Sequence, residues 1–356
     1  MPHFRKTGEW TSAVNINFTA ALEFALNGGR SRITGEQLGL KGREAVELSS
    51  YDAVESEFYR QFDELIRHSV VSSLLAQSLH RNMVPRPFLS SCIENCLDTG
   101  TDLTDAGAKY NLGPVLTGIG LAVTANSLAV IRKLVYDDSV TDMATLLEAL
   151  EADWEGFEEL RQLALKVPKY GNDSDYADDI AIRLANGFYE KGHSYRDLNG
   201  NPFNTAFMGI SNYLPAGKVI GATPCGRKAR EPLSEGVSPF AGSDTATPLA
   251  AMRSAAKLNQ DVHSGGTLLN LRLTEELVST PRGRSNLGGM IQAFFALGGF
   301  HVQFNTVSSE TLRAAQEKPE EYRDLLIRVA GYSTQFVNLS RTMQDAIILR
   351  TAHGSL

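Results

Sequence analysis

The stretch LLIRVAGYSTQF, residues 325–336, sets Leu, Ile and Val around a bare glycine, Gly331, followed at once by Tyr332. Taken alone, such a glycine reads as a turn residue, because without a Cβ it adopts a positive φ between two elements at little cost. The other residues that could do chemistry are scattered. The seven histidines (His3, His68, His80, His193, His263, His301 and His353) offer no pair at metal-ligand spacing on a helix and read as surface or core residues. Cys92 and Cys96 stand four apart at an apparent helix start. With no second Cys/His pair nearby they read as structural thiols. TGIGLA has two glycines but neither the full dinucleotide fingerprint nor an acidic residue suitably placed after it. Phosphate-loop and G-x-S-x-G patterns are missing, which removes the usual markers of nucleotide hydrolysis and serine hydrolase chemistry. Acidic pairs such as Asp173/Asp175 and Asp178/Asp179 read as solvated faces.

The elements that must position these residues alternate in type. NINFTAALEFALNGG reads as a helix stopped by Gly28 and Gly29. The stretch from SSYDAVESEF to SLHRNM, residues 49–83, reads as one long helix, acidic early and basic late as the helix dipole prefers. SLAVIRKLVYDD is another helix, and DMATLLEALEADWEGFEELRQLALKV covers one or two more. Between them PVLTGIGLAV, FMGISNYL, GTLLNLRL and GGFHVQFNTV look like buried strands or strand-to-loop passages. Helices alternating with short buried strands indicate an α/β architecture. The Gly- and Pro-rich stretch at 217–248 reads as ordered loop, and a compact helical module starts after Val307. At 356 residues, 42% hydrophobic and 21% charged, the chain can bury a real core. A net charge of -7 argues against nucleic acid or an anionic membrane as the main partner. No apolar run approaches the ~20 residues of a membrane span, and MPHFRKTGEW lacks the apolar region of a signal peptide. Three cysteines point to a reducing compartment, the cytoplasm.

Several stretches, taken in order, resemble the C-terminal half of the glycyl radical enzymes. RVAGYSTQF matches that family's R-V-x-G-Y-S signature, and QDAIILRTAH looks like the helix that follows it. GGFHVQFNTV resembles the lead-in, with Gln303 and Asn305 at their expected places. VPKYGNDSDYAD, DAGAKYN and ATPCGRKAREPLSEGVSPFAGSD match further upstream. The resemblance implies the second half of a ten-stranded β/α barrel over residues 1–306, then a small, mostly helical glycine radical domain over 307–356. It implies a radical stored on Gly331, with Arg328, Val329, Tyr332 and Ser333 supporting the loop. A separate activating enzyme, using S-adenosylmethionine and an iron–sulfur cluster, would install it, and no cofactor would be held stably. The type of residue agrees: a radical at Cα persists only if the centre flattens, and glycine alone lacks the Cβ that opposes flattening. Leu325, Leu326, Ile327, Val329 and Phe336 would shield it from solvent. Such chemistry is anaerobic, since dioxygen cleaves the backbone at the radical site.

The family's second working part, a thiyl cysteine in a G-C-x-E loop, has no counterpart in the chain. Cys92 is followed by Glu94 but preceded by Ser91, and Cys225 stands where T-P-D-G-R usually has aspartate. The expectation is the C-terminal portion of a larger lyase or synthase, completed by an N-terminal half or partner chain that brings the cysteine and forming a homo-oligomer when complete. A complementing subunit without activity of its own stays open, as does a dehydratase or formate acetyltransferase member. By resemblance Trp10, Thr11, Asn15, Leu116, Ile119, Ser211 and Asn212 line the substrate pocket. The apolar character of Trp10, Leu116 and Ile119 leans toward an arylacetate decarboxylase or an alkyl- or benzylsuccinate synthase.

Overall fold

A computed structural model describes residues 12–329 and 331–353. Its frame is a row of parallel strands: β1 (Ser12–Asn17), β2 (Val115–Ile119), β3 (Asn204–Ala206), β4 (Leu269–Leu273) and β5 (Val302–Asn305). β1 pairs with β2 and β2 with β3, while β4 pairs with β5. One parallel bridge, Phe207 to Thr267, joins the two groups, with Phe207 N–H donating to the Gly266 carbonyl at 2.8 Å. Helices make the crossovers, as parallel pairing requires. Among the described residues β1 and β5 each pair through the backbone on one side only. A short final strand, β8 (Ala352–His353), pairs with the far end of β4.

β2 and β4 are buried on both faces, which explains their near-continuous apolar sequence. Register then sorts their residues. Asn15, Thr117 and Ala206 share one face, and across the second group Asn270 lies beside Gln303 and Arg272 beside Asn305. Leu269 and Leu271 point the other way, into a core they share with Met290 and Phe294 of the helix Pro281–Ala296. Phe18, Phe58, Phe62, Phe188 and Phe207 form an aromatic cluster that ties the strands to the helices Tyr51–Met83 and Asp175–Ser194.

The long helix runs as its pattern predicts, capped by Ser50, whose side chain accepts from Ala53 N–H. The first predicted helix divides: Ser12–Asn17 is strand, and Asn17 caps the helix Phe18–Leu26 by accepting from Thr19 and Ala20 N–H. A polar cap residue inside an apolar run is the local signal for that change. FMGISNYL is loop from Met208, then the helix Tyr213–Lys218. Asp178 is fully buried, not solvated, held by Ser254 Oγ and Lys257 Nζ, the latter gathering Asp173 and Asp175 as well. No helix among the described residues is long and apolar enough to cross a membrane.

After Val307 the chain forms the helix Ser309–Glu317, an antiparallel hairpin of β6 (Leu326–Arg328) and β7 (Ser333–Gln335), and the helix Arg341–Leu349. Leu312, Ile327, Val329, Phe336 and Ile347 from this segment bury against Ile119, Val123, Tyr213, Leu233 and Leu268. The hairpin is therefore seated on the strand layer by a shared apolar core.

The 217–248 stretch is ordered without regular structure, and Arg227 is the reason. Its guanidinium is buried and donates to the carbonyls of Gly217, Gly221, Glu231 and Pro232. Replacing it leaves several buried carbonyls unsatisfied at once. Arg227→Met is expected to lower unfolding stability by about 3 kcal/mol or more, and Arg227→Lys to recover little, since a point charge cannot reach the whole fan. Denaturant unfolding checks both.

Candidate active site

The hairpin places Gly331 at its tip. Arg328 pairs with Ser333 in the ladder, and Val329 N–H donates to the Tyr332 carbonyl at 2.9 Å, closing the turn. Gly331 takes φ +74°, in the left-handed region where a side chain is strained. Arg328, Val329, Tyr332 and Ser333, the residues expected to support the loop, flank the glycine in this turn. The expected apolar shield is one-sided. Ile327, Val329 and Phe336 are buried beneath the hairpin, but Leu326 is 61% exposed, and Gly331 and Tyr332 face outward. A two-stranded ribbon puts alternate residues on opposite faces, so Leu326 cannot share the shelter of Ile327.

Two side chains from β5 hold the tip. Asn305 Nδ2 donates to the Arg328 carbonyl at 2.8 Å while its Oδ1 accepts Arg328 N–H at 2.9 Å. Gln303 Nε2 donates to the Val329 carbonyl at 2.9 Å while its Oε1 accepts Gly331 N–H at 3.0 Å. Residues two apart on one strand face the same way, so the spacing of Gln303 and Asn305 matches the hairpin's backbone groups. The two amides act in place of a neighbouring strand.

A buried polar network continues behind them. Gln303 Nε2 also donates to Asn270 Oδ1, and Asn270 Nδ2 donates to Glu235 Oε1 at 2.6 Å. Glu235 Oε2 accepts from Arg350 Nη2 at 2.5 Å. Burial pushes the Glu235 carboxyl up to about 7, against the opposing pull of Arg350 and Asn270. Glu235, Asn270, Arg272 and Arg350 help line a cavity of about 820 Å³ that also touches Lys169 and Cys225. Burial lowers the Lys169 ammonium to about 8, and its Nζ donates to the Ala164 and Val167 carbonyls at 2.6 and 2.7 Å.

Among the expected pocket residues, Trp10 and Thr11 lie outside the described residues. Asn15 is exposed and in register with buried Thr117. Ile119 meets the second segment, since a Cβ built on Gly209 would lie 3.0 Å from its side chain. Ser211 and Asn212 are half-buried in the turn that leads into the helix Tyr213–Lys218. Leu116 goes elsewhere: a Cβ on Gly192 of the helix Asp175–Ser194 would meet it at 3.4 Å, so it packs outward against the helices. Cys92 is exposed and Cys96 buried beside Leu103 and Ala108, so the two thiols do not share one face. Sequence reasoning missed Asn270, Glu235 and Arg350. The local signal for Asn270 is a polar residue at every second position of an otherwise apolar strand, as in LLNLRL, whereas Glu235 in a loop and Arg350 after a helix carry no such pattern.

Two measurements test this geometry. A Cβ on Gly331 would meet nothing within 4 Å, so Gly331→Ala is expected to fold and to lose only about 1–2 kcal/mol through its positive φ, read by thermal unfolding. Glu235 has a folded-state pKa raised above its ordinary 4.5, so the native state holds this proton more tightly than the unfolded chain. Its contribution to stability is fully present below about pH 4.5 and is lost as pH rises toward 7. Arg350 and Tyr213 face the carboxyl throughout. Glu235→Gln is expected to flatten that limb of the stability–pH profile.

The family model for pyruvate formate lyase-like proteins matches residues 2–217, and the glycine radical model matches residues 233–337, a span that includes Gly331. The chain is 36% identical over 337 residues to trans-4-hydroxy-L-proline dehydratase of Clostridioides difficile, covering 94% of this chain and 42% of the relative. It is 37% identical over 348 residues to (2S)-3-sulfopropanediol dehydratase of Klebsiella oxytoca, covering 96% and 42%. The solved B12-independent glycerol dehydratase of Clostridium butyricum superposes with TM-score 0.94 at 34% identity, over 99% of this chain and 44% of that one. The chain therefore spans less than half the length of these relatives. With a match over more than half of its residues and the same fold, the chain belongs to the pyruvate formate lyase-like glycyl radical enzymes.

Proposed function

We propose that this chain is the radical-storing portion of a glycyl radical lyase and that Gly331 carries the radical. The observation that carries the reading is the site of that glycine. It sits at a hairpin tip, with outward-facing Cα, and is held through its own N–H by Gln303. Residues 1–306 are the barrel portion of this reading and 307–356 its radical-glycine portion, the two sharing one apolar core. The open edges of β1 and β5 fit half of a barrel that a complementary segment or partner chain would close.

In the proposed cycle an activating enzyme takes a hydrogen atom from the Cα of Gly331. A thiol brought by the complementary part then gives its hydrogen atom to that Cα and becomes a thiyl radical, which takes a hydrogen atom from a small organic substrate. Return of that hydrogen to product regenerates the thiyl. We favour elimination from a small hydroxylated substrate, because the two relatives named above are dehydratases. The leaning toward an apolar aryl substrate loses one of its supports, since Leu116 packs against the helices. Among the described cysteines Cys96 and Cys225 are buried and Cys92 is exposed, so none is assigned the thiyl role.

The test is anaerobic activation of the chain by a family activating enzyme with S-adenosylmethionine, with and without the N-terminal half of the hydroxyproline dehydratase. A doublet in the electron paramagnetic resonance spectrum is expected, followed on air exposure by cleavage of the chain at Gly331. Gly331→Ala is expected to abolish both while remaining folded. No doublet with the N-terminal half present would remove the radical role.

A further inference from the structure

Gln303 is 93% buried, and every hydrogen-bonding position of its amide is used. Nε2 serves the Val329 carbonyl and Asn270 Oδ1, and Oε1 accepts Gly331 N–H at 3.0 Å and Arg328 Nε at 3.4 Å. The partners fix which way the amide faces, because the nitrogen has two oxygens before it and the oxygen two N–H groups. The chain of bonds also has one direction. Gly331 N–H donates to Gln303, Gln303 donates to Asn270, and Asn270 donates to the Glu235 carboxylate, which Arg350 pairs. Donors aligned head to tail polarise one another in a low-dielectric interior, and a carboxylate at the end strengthens each acceptor before it. The four side chains come from β5, β4, the 217–248 loop and the residue after the helix Arg341–Leu349, so the geometry depends on all of them.

We infer that Gln303 is the positioning residue of the radical glycine, and that Glu235, acting through Asn270, sets how strongly Gln303 holds the Gly331 N–H. This rests on the radical reading above. An unpaired electron at Cα is shared with the amide nitrogen and the neighbouring carbonyl. A strong acceptor on the N–H pushes electron density onto nitrogen and favours the flat arrangement in which sharing is complete. Gln303 thus acts on the radical's electron distribution without touching Cα or substrate. Asn305, which holds the Arg328 backbone, anchors the hairpin and has no such effect.

The test has two arms on the full chain. In the unactivated protein, at a pH above about 7 where Glu235 is ionised, amide hydrogen exchange at Gly331 is compared among wild type, Gln303→Leu, Glu235→Gln and Asn305→Leu. Gln303→Leu is expected to speed exchange at Gly331 on the order of tenfold or more, with the amides of the helix Arg341–Leu349 unchanged as the check on folding. Glu235→Gln, which preserves shape, is expected to speed it severalfold although Glu235 touches no atom of the hairpin. After activation, both variants are expected to change the doublet splitting and shorten the radical lifetime, whereas Asn305→Leu leaves the splitting as in wild type. Unchanged exchange at Gly331 in Gln303→Leu overturns the inference. So does faster exchange with a wild-type splitting and lifetime, which would make Gln303 only a structural prop. A missing doublet in wild type overturns the radical reading instead, and the exchange arm separates the two results.

Discussion

A hairpin laid over one face of a parallel strand layer leaves backbone N–H and C=O groups that a further strand would have paired. Those groups must find partners or lose free energy comparable to a hydrogen bond each. Asn305 and Gln303 supply the partners, one amide for the backbone of Arg328 and one for the Val329 carbonyl and Gly331 N–H. The position of the glycine depends on this substitution of side chain for strand. It also explains why an apolar strand, HVQFN, carries two amides on one face and Val302 and Phe304 on the other, packed against the main core.

Polar groups inside an apolar layer lose free energy unless they find partners in one another. The amide of Gln303 leads to Asn270, then to the Glu235 and Arg350 pair, which leaves Arg350 Nη1 without a hydrogen-bond partner. The loop that presents Glu235 has no helix or strand to stiffen it. Arg227 takes that part by collecting carbonyls from four residues of the loop and its approach. Order around the hairpin thus comes from buried Arg227 and half-buried Arg350 as much as from apolar contact.

Gly331 has two independent physical reasons to be glycine. Its φ of +74° closes a tight turn that other residues enter only with strain. The missing Cβ also leaves the Cα free to flatten and accessible from one side. The first reason is the plain turn reading of the sequence, and the second belongs to the radical role proposed for it. The two coexist, since the turn that needs a glycine also lifts it clear of the packed Ile327 and Val329 beneath.

Local physics made much of this legible from sequence. Ser50 and the charge gradient mark the helix Tyr51–Met83, and short apolar runs mark β2, β4 and β5. The ordered signature around Gly331 pointed to the hairpin residues Arg328, Val329, Tyr332 and Ser333. Other features depended on neighbours far apart in the chain. The strand character of Ser12–Asn17 comes from pairing with β2, about a hundred residues later. The outward turn of Leu116 and the inward turn of Thr117 follow from register, which shifts every side chain to the other face if it slips by one. The lopsided shelter of Gly331 follows from the twofold alternation of a ribbon seated on a core it does not contain. The sequence by itself marked the glycine signature on which the proposed chemistry rests and where chain direction changes. Only tertiary structure decided that Glu235, Asn270, Gln303 and Arg350 meet, because a buried hydrogen-bond network is a property of juxtaposed strands and loops, not of any local pattern.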